Sequence, residues 1–361
     1  MVDQAYALFK EGKLEKSREA IDMAAEHPST VQDPKTWYLK SFIYKELSGT
    51  SKSDDIKKTS IASALKCISI DTAGRYTKDC RAILKFVYTS YLNDAVNALN
   101  QQEFSTVMST LKPILESEDE AANPLRPQAL FYTGYALLQS SKQQEARDFF
   151  FRALQLGFHD PLIYETEAMY RMNNSEWDST RYYLDQGLQQ FPQDANLLVS
   201  KLNFLMMGEQ YEAAEETVKQ YLDLYPENTE GLLLAGTIYE KLLPLSEDSN
   251  LYYEKQIQVY EKILNKNPDH LQANYNLGIV YYNRAVKTIN QAAQNYDMDI
   301  LAFNSLLNEC SQLFMKALPY VEKVSKLDDT HVNALKALEG IYYNINDYEQ
   351  YNLVKVKLEK L

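Results

Sequence analysis

Residues of matched size recur at a spacing of 34 through the middle third of the chain. Gly134, Ala168, Leu202 and Gly236 form one column; Ala146, Thr180 and Ala214 a second; Phe150, Leu184 and Val218 a third; Pro192 and Pro226 a fourth. Four columns in one register constrain the fold more than any other feature, because a unit of this length is one supersecondary element that cannot bury its own apolar face and must stack on copies of itself. Each unit reads as two helices. On the first, the small residue (Gly134, Ala168, Gly236) lets the partner helix come close, and Leu137, Leu205 or Tyr239 lies three residues on, on the same face. On the second, Ala146 or Ala214 marks the crossing point, Phe150 or Val218 follows at i+4, and Ala153 lies at i+7 from Ala146. Pro192 and Pro226 fall just beyond that helix, where proline blocks its continuation. Leu202 departs from the small-residue rule, and Gly187 and Tyr221 from the alanine rule, exchanges that are tolerated when a neighbour trades volume.

The flanks continue the pattern with insertions. Ala5, Leu8, Ser17, Ile21 and Ala24 give a first unit ending at Pro28. Trp37, Ser41 and Tyr44 open the next, whose second helix around Ile61, Ala64 and Ile68 follows a polar stretch from Ser48 to Lys58. A third runs from about Tyr88 to Glu116, with Ala95 at the small-residue position. Beyond the regular centre, Gly236 and Tyr239 open a unit whose helices are separated by the loop Leu243–Asn250, and Asn274, Leu277, Gly278 and Tyr281 open another. The second helix of the latter, marked by Ala317, Val321 and Val324, arrives about 27 residues late. The intervening 284–312 lacks Gly and Pro and reads as helix extension. Lys336, Gly340 and Tyr343 open the last unit, and a Lys- and Glu-rich final helix reads as a cap facing solvent.

This order of a small residue, an aromatic, Ala, a bulky residue, Ala and Pro resembles the tetratricopeptide repeat (TPR) family, strongly over 128–283 and more loosely over most of the chain. The resemblance implies an all-α fold: a right-handed superhelical α-solenoid of antiparallel helix pairs with a concave groove. It implies one array over 1–361 of about nine units, with degenerate units in 1–127, regular ones in 128–283, a helical insertion in 284–312, and terminal units and cap in 313–361. The long insertion, with "LFMKALPYVEKVSKLDD" after it, is similar to one bacterial class of such proteins that often carries an export leader. With such a leader the compartment is periplasmic; without one it is cytoplasmic. The abrupt start, where Met1 is followed almost at once by the helical pattern of Ala5, Leu8 and Phe9, leaves the choice open.

The remaining features narrow the function by what they lack. The chain carries 37 basic and 50 acidic side chains, a formal net charge of −13 that repels a polyanion, so no nucleic-acid partner is expected. No apolar run approaches the roughly 18 residues of a membrane span. Cys67, Cys80 and Cys310 show no C-x-x-C spacing, and Cys67 and Cys80 can pair only if the fold brings them together. His27, His159, His270 and His331 each fall at a unit junction, where turn and cap positions explain them. The run Glu116, Glu118, Asp119 and Glu120 reads as a solvated helix end, and Asp297-Met298-Asp299 lacks the Gly and Glu that a calcium loop needs. No phosphate-binding, dinucleotide, zinc-protease or serine-hydrolase motif occurs. No catalytic residue, metal site or cofactor is therefore expected. The 28 tyrosines read as helix-interface packing with wet hydroxyls.

Within the family architecture the first helix of each unit lines the groove, and the residues three before and one after the small-residue position, with those a turn further along, point into it. The resulting candidates are Phe131, Tyr135, Met169, Met172, Asn203, Met206, Tyr275 and Tyr282, a largely aromatic and Met-rich set suited to adaptable recognition of apolar side chains. The alternative is that these residues pack on neighbouring helices. Some family members grip a peptide carboxylate with Lys, Asn and Arg from consecutive units; Asn203 and Asn276 stand at such positions, but the supporting Lys and Arg are missing. Three readings follow. The first is a non-catalytic scaffold that binds a peptide or partner helix, as a monomer or weak homo-oligomer. The second is a structural subunit of a larger, envelope-associated assembly that docks through 284–312. The third is a binder of small ligands or glycans.

Overall fold

The computed structural model describes residues 1–50, 53–294 and 299–361; Asp297 and Met298 of the acidic cluster, part of the polar stretch after Ser48 and part of the 284–312 insertion lie outside them. Among the described residues are eighteen α-helices, a single turn of 3-10 helix and no strand. The chain divides into two compact units, Met1–Ile163 and Tyr164–Leu361, and the division falls in sequence within helix α9 (Pro161–Asn173).

The first unit stacks helices as consecutive pairs: α1 (Val2–Lys10) with α2 (Leu14–Glu26), α3 (Pro34–Thr50) with α4 (Asp54–Ile70), α5 (Thr77–Asn100) with α6 (Phe104–Leu115), and α7 (Arg126–Gln139) with α8 (Gln143–Gln155). Each second helix also packs on the next first helix, and the first helices α1, α3, α5 and α7 lie side by side. A short 3-10 turn, Glu120–Ala122, leads into α7. Asp119 belongs to this turn and not to a solvated helix end: its carboxylate accepts the Ala121 N–H at 2.8 Å and faces Arg81 at 3.7 Å.

The second unit continues with α10 (Trp177–Gln190), α11 (Ala195–Met207) and α12 (Tyr211–Leu224), α13 (Thr229–Leu242) and α14 (Ser249–Lys266), α15 (Leu271–Ala293) and α16 (Ile300–Leu327), and α17 (Val332–Asn344) and α18 (Tyr348–Leu358). The α15–α16 pair is long, at 23 and 28 residues, where α11 has 13. Its extra turns are joined by their own core, with Ala285, Cys310, Leu313 and Phe314 buried together. α18 buries none of its residues.

Two short-range devices recur. Inside a pair, the first helix ends on a residue in the left-handed region: Gly12, Gln102, Ser141, Ser175, Glu209 and Asn346 all have φ between 54 and 76°. The next N–H reaches back five residues, as from Lys142 to Leu137 O at 3.0 Å and from Gln210 to Leu205 O at 2.9 Å, closing the last turn in a Schellman-type cap. Between pairs, a side chain caps the incoming first helix. Asp194 accepts from Leu197 N, Asn228 from Gly231 N, and the His270 and His331 Nδ1 atoms from Ala273 N and Ala334 N, at 2.7–3.2 Å. These caps explain His270 and His331, whereas His27 Nδ1 accepts the Ser29 N–H at 3.2 Å in the turn after α2.

The small-residue column works by close approach within a pair. A Cβ on Gly134 would come within 2.6 Å of the Phe150 ring, and one on Gly236 or Gly278 would collide with Tyr260 or Val321 on the partner helix. The partners Phe150 and Val321 are the bulky positions of the second-helix pattern, so the two columns interlock.

Candidate functional surface

The residues singled out from the register all lie on first helices, but their surroundings differ. In the first unit, α7 carries Phe131 and Tyr135, both half-buried. The Phe131 ring sits 5.8 Å from Phe150 and 5.0 Å from Phe158, in an aromatic cluster that holds α7 to α8 and to the loop after it. In the second unit, Met169 on α9 is 43% exposed, while Met172, one turn on, packs against the core formed by Ala168, Leu184 and Leu202. On α11 the same arrangement returns: Asn203 is exposed, and Met206 leans on that same core.

α15 is different. Tyr275 is half-buried with its ring 4.9 Å from the His331 ring, and burial, with Glu240 adding to it, raises its hydroxyl above the ordinary range. Tyr282 meets Phe314 edge-on at 5.5 Å, and its hydroxyl lies where a side chain on Gly340 of α17 would have to go. These two rings therefore help to join α15 to its neighbours. Asn276 is also engaged: its Oδ1 accepts from Gln272 Nε2 at 2.7 Å.

A polar cleft of about 950 Å³ in the first unit was not anticipated from the sequence. Its walls come from α4, α5 and α6 and include Lys57, Tyr91, Asp94, Thr110 and Glu116. Lys57 is buried, with its ammonium paired to Asp94 and 4.9 Å over the Tyr91 ring. The Tyr91 hydroxyl donates to Asp54 at 2.6 Å. Burial works against the Asp54 carboxylate, but hydrogen bonds from Lys58 and Tyr91 outweigh it and hold the group below the usual range. The cleft had no signal in the repeat because its lysines and carboxylates lie in the irregular N-terminal units. Among the described residues no group of three or more His, Cys, Asp or Glu is placed to hold a metal, and no helix is long and apolar enough to cross a membrane.

A tetratricopeptide-repeat family model matches residues 116–161, which span the approach to α7, the α7–α8 pair and the entry to α9. A comparison with curated proteins gives no match. Among solved structures, a tetratricopeptide repeat protein from Parabacteroides merdae matches at 15% identity over 76% of this chain and 92% of its own, with a TM-score of 0.44. PilF of Pseudomonas aeruginosa matches at 13% identity over 66% of this chain and 92% of its own, with a TM-score of 0.45. MamA of Desulfovibrio magneticus matches at 14% identity over 57% and 98%, with a TM-score of 0.39. Proteins built from this repeat are in general non-catalytic interaction scaffolds. The family model thus places a tetratricopeptide-type repeat on the α7–α8 pair, and the same small-residue, bulky-residue and cap positions recur on other helix pairs of the two all-helical units.

Proposed function

We propose that the protein is a binding scaffold that holds an extended peptide or partner helix on the first-helix faces of its repeats, with Met169, Met172, Asn203 and Met206 as the contact set of the second unit. The observation that carries this reading is their pairing at a 34-residue interval. On both α9 and α11 a solvent-facing residue is followed one turn on by a methionine that rests on the core and still reaches the surface. Methionine suits such a surface because its unbranched thioether adapts to different apolar side chains. Tyr135 takes the position of Met169 on α7 in the first unit, with Phe131 one turn before it, and Tyr275 and Tyr282 add to the set on α15 while also serving the packing. Binding energy would add along such a register, since each repeat presents its side chains at a fixed spacing.

A second reading, a structural subunit of a larger assembly, is favoured by one feature of the insertion. Ile300 and Leu301 open α16 with 79% and 81% of their surface exposed. One experiment separates the two. The intact chain, a Met169→Ala/Met206→Ala variant and an Ile300→Asp/Leu301→Asp variant are used as bait, and the retained proteins are identified by mass spectrometry. A protein lost only from the methionine variant, with helicity unchanged, supports the scaffold. Loss only from the α16 variant moves the contact to the insertion. Equal retention by all three refutes both surfaces.

A further inference from the structure

We propose that Cys67 and Cys80 form an intramolecular disulfide that staples α4 to α5. Cys67 stands three residues before the end of α4 and Cys80 three residues after the start of α5, so they face each other across the turn. Both side chains are fully buried in one apolar cluster, where the Cys67 thiol also donates to Pro34 O at 3.4 Å. The connection between the helices is short and pinned. Asp71 is buried and accepts the N–H groups of Arg75, Tyr76 and Thr77 at 3.1, 2.7 and 2.9 Å, together with the Thr77 hydroxyl at 3.0 Å. The native turn thus holds the two helix ends that carry the cysteines side by side, which lowers the cost of closing the loop between them. Cys310 differs. It lies in the other unit, in a separate core with Ala285, Leu313 and Phe314.

The reaction is thiol–disulfide exchange, and the oxidant is a small-molecule disulfide of the glutathione class. Either thiol can lead; in the Cys67-first order, Cys67 gives up its proton and attacks as the thiolate. Its sulfur bonds to one sulfur of the oxidant, the oxidant's S–S bond breaks, and one small thiol leaves. Cys80 then loses its proton and attacks the Cys67 sulfur of the mixed disulfide, expelling the second small thiol. Two protein thiols are oxidised, one small disulfide is reduced to two thiols, and the two protons end on those products. Because both sulfurs are sealed in the core, exchange proceeds while the α4–α5 junction is open, as in folding, and the finished bond is shielded from reductants.

The test refolds the fully reduced, denatured chain in a buffer of oxidised and reduced glutathione, then blocks the remaining thiols in denaturant and reads the mass and peptide map. The expected result is a chain lighter by two hydrogens, with Cys310 alone alkylated and a cross-link between the peptides of Cys67 and Cys80. Cys80→Ala, refolded in the same way, should form no internal disulfide and keep its helicity. The oxidised wild type should also melt higher than the reduced one, by roughly 5 °C. Three alkylated cysteines, or a cross-link that includes Cys310, overturns the assignment. A cross-link without a melting shift refutes the stapling.

Discussion

At the scale of single residues, the polar groups of this chain are more enclosed than their numbers suggest. The tyrosines do pack at helix interfaces, but several hydroxyls are not wet. Tyr44 donates to Asp22 and Tyr342 to Glu322, each at 2.8 Å, and Tyr252 donates to Glu215 at 3.0 Å. Burial, and after it the Glu215 carboxylate, pushes the Tyr252 hydroxyl up to about 12. A ring on one helix finds a carboxylate on a neighbour because the acidic side chains that give the chain its charge also line the seams between helices. Asp71 is the clearest case of a carboxylate with a structural task. Burial alone would raise it, yet three backbone N–H donors and the Thr77 hydroxyl outweigh that and hold it below the ordinary range. A carboxylate with a depressed folded value adds stability above its unfolded value, and that contribution is lost as pH falls through the folded one. Asp71→Ala should therefore lower the urea midpoint at pH 7, and the gap from wild type should narrow below about pH 4, where the unfolded carboxyl takes up its proton. A gap of constant size at both pH values would show that Asp71 acts without its charge.

At the scale of helices and turns, stability rests on close pairing and on how each turn is closed. Gly134 faces two Phe150 ring atoms at 2.6 Å and the Ala146 carbonyl at 3.2 Å, measured from where a Cβ would be. A ring pressed between two helices and a backbone oxygen cannot step aside, so Gly134→Ala should cost about 1–3 kcal/mol. Phe150→Leu in the same chain should recover part of that loss, and denaturant unfolding of the single and double variants measures both. The turn inside the α11–α12 pair offers the opposite opportunity. Glu209 holds φ at 54°, a region that disfavours side chains, where Gly12 serves the same turn in the first pair. Glu209→Gly should stabilise the protein by about 0.5 kcal/mol, the net of relieved backbone strain and the greater freedom of glycine in the unfolded chain. A lower denaturation midpoint would show that the Glu209 side chain contributes more than its backbone costs. The helix α18 carries Lys355 and Lys357 in its last turn, and Leu353 and Val356 are exposed beside them.

At the scale of the whole molecule, contacts within each unit are short-ranged in sequence: the helices α1 to α8 and α10 to α18 each pack chiefly on their neighbours in the chain. Stability in such an array is close to a sum of repeat terms and nearest-neighbour terms, so the pattern that specifies one pair can be read without knowing the rest. The irregular pairs fit the same scheme. The α15–α16 pair accommodates its additional residues by lengthening two helices over a shared core, which keeps its ends in register with the helices before and after it.

The sequence by itself determined what depends on neighbours a few residues apart. The all-helical class, the pairing, the interlock of Gly134 with Phe150, and the junction positions of His270 and His331 all follow from helical periodicity, capping and the exclusion of proline from helix interiors. Only the tertiary structure decided how much of each first-helix face is left to solvent. Met169 and Phe131 lie in the same stretch of their repeats, yet one faces water and the other is covered by Phe158; Tyr275 is covered by His331, more than fifty residues away in the chain. The burial of Cys67 and Cys80 in one cluster and the polar cleft around Lys57 arose in the same way. Burial at these positions is set by side chains from the next helix or the next pair, and a local pattern carries no term for them.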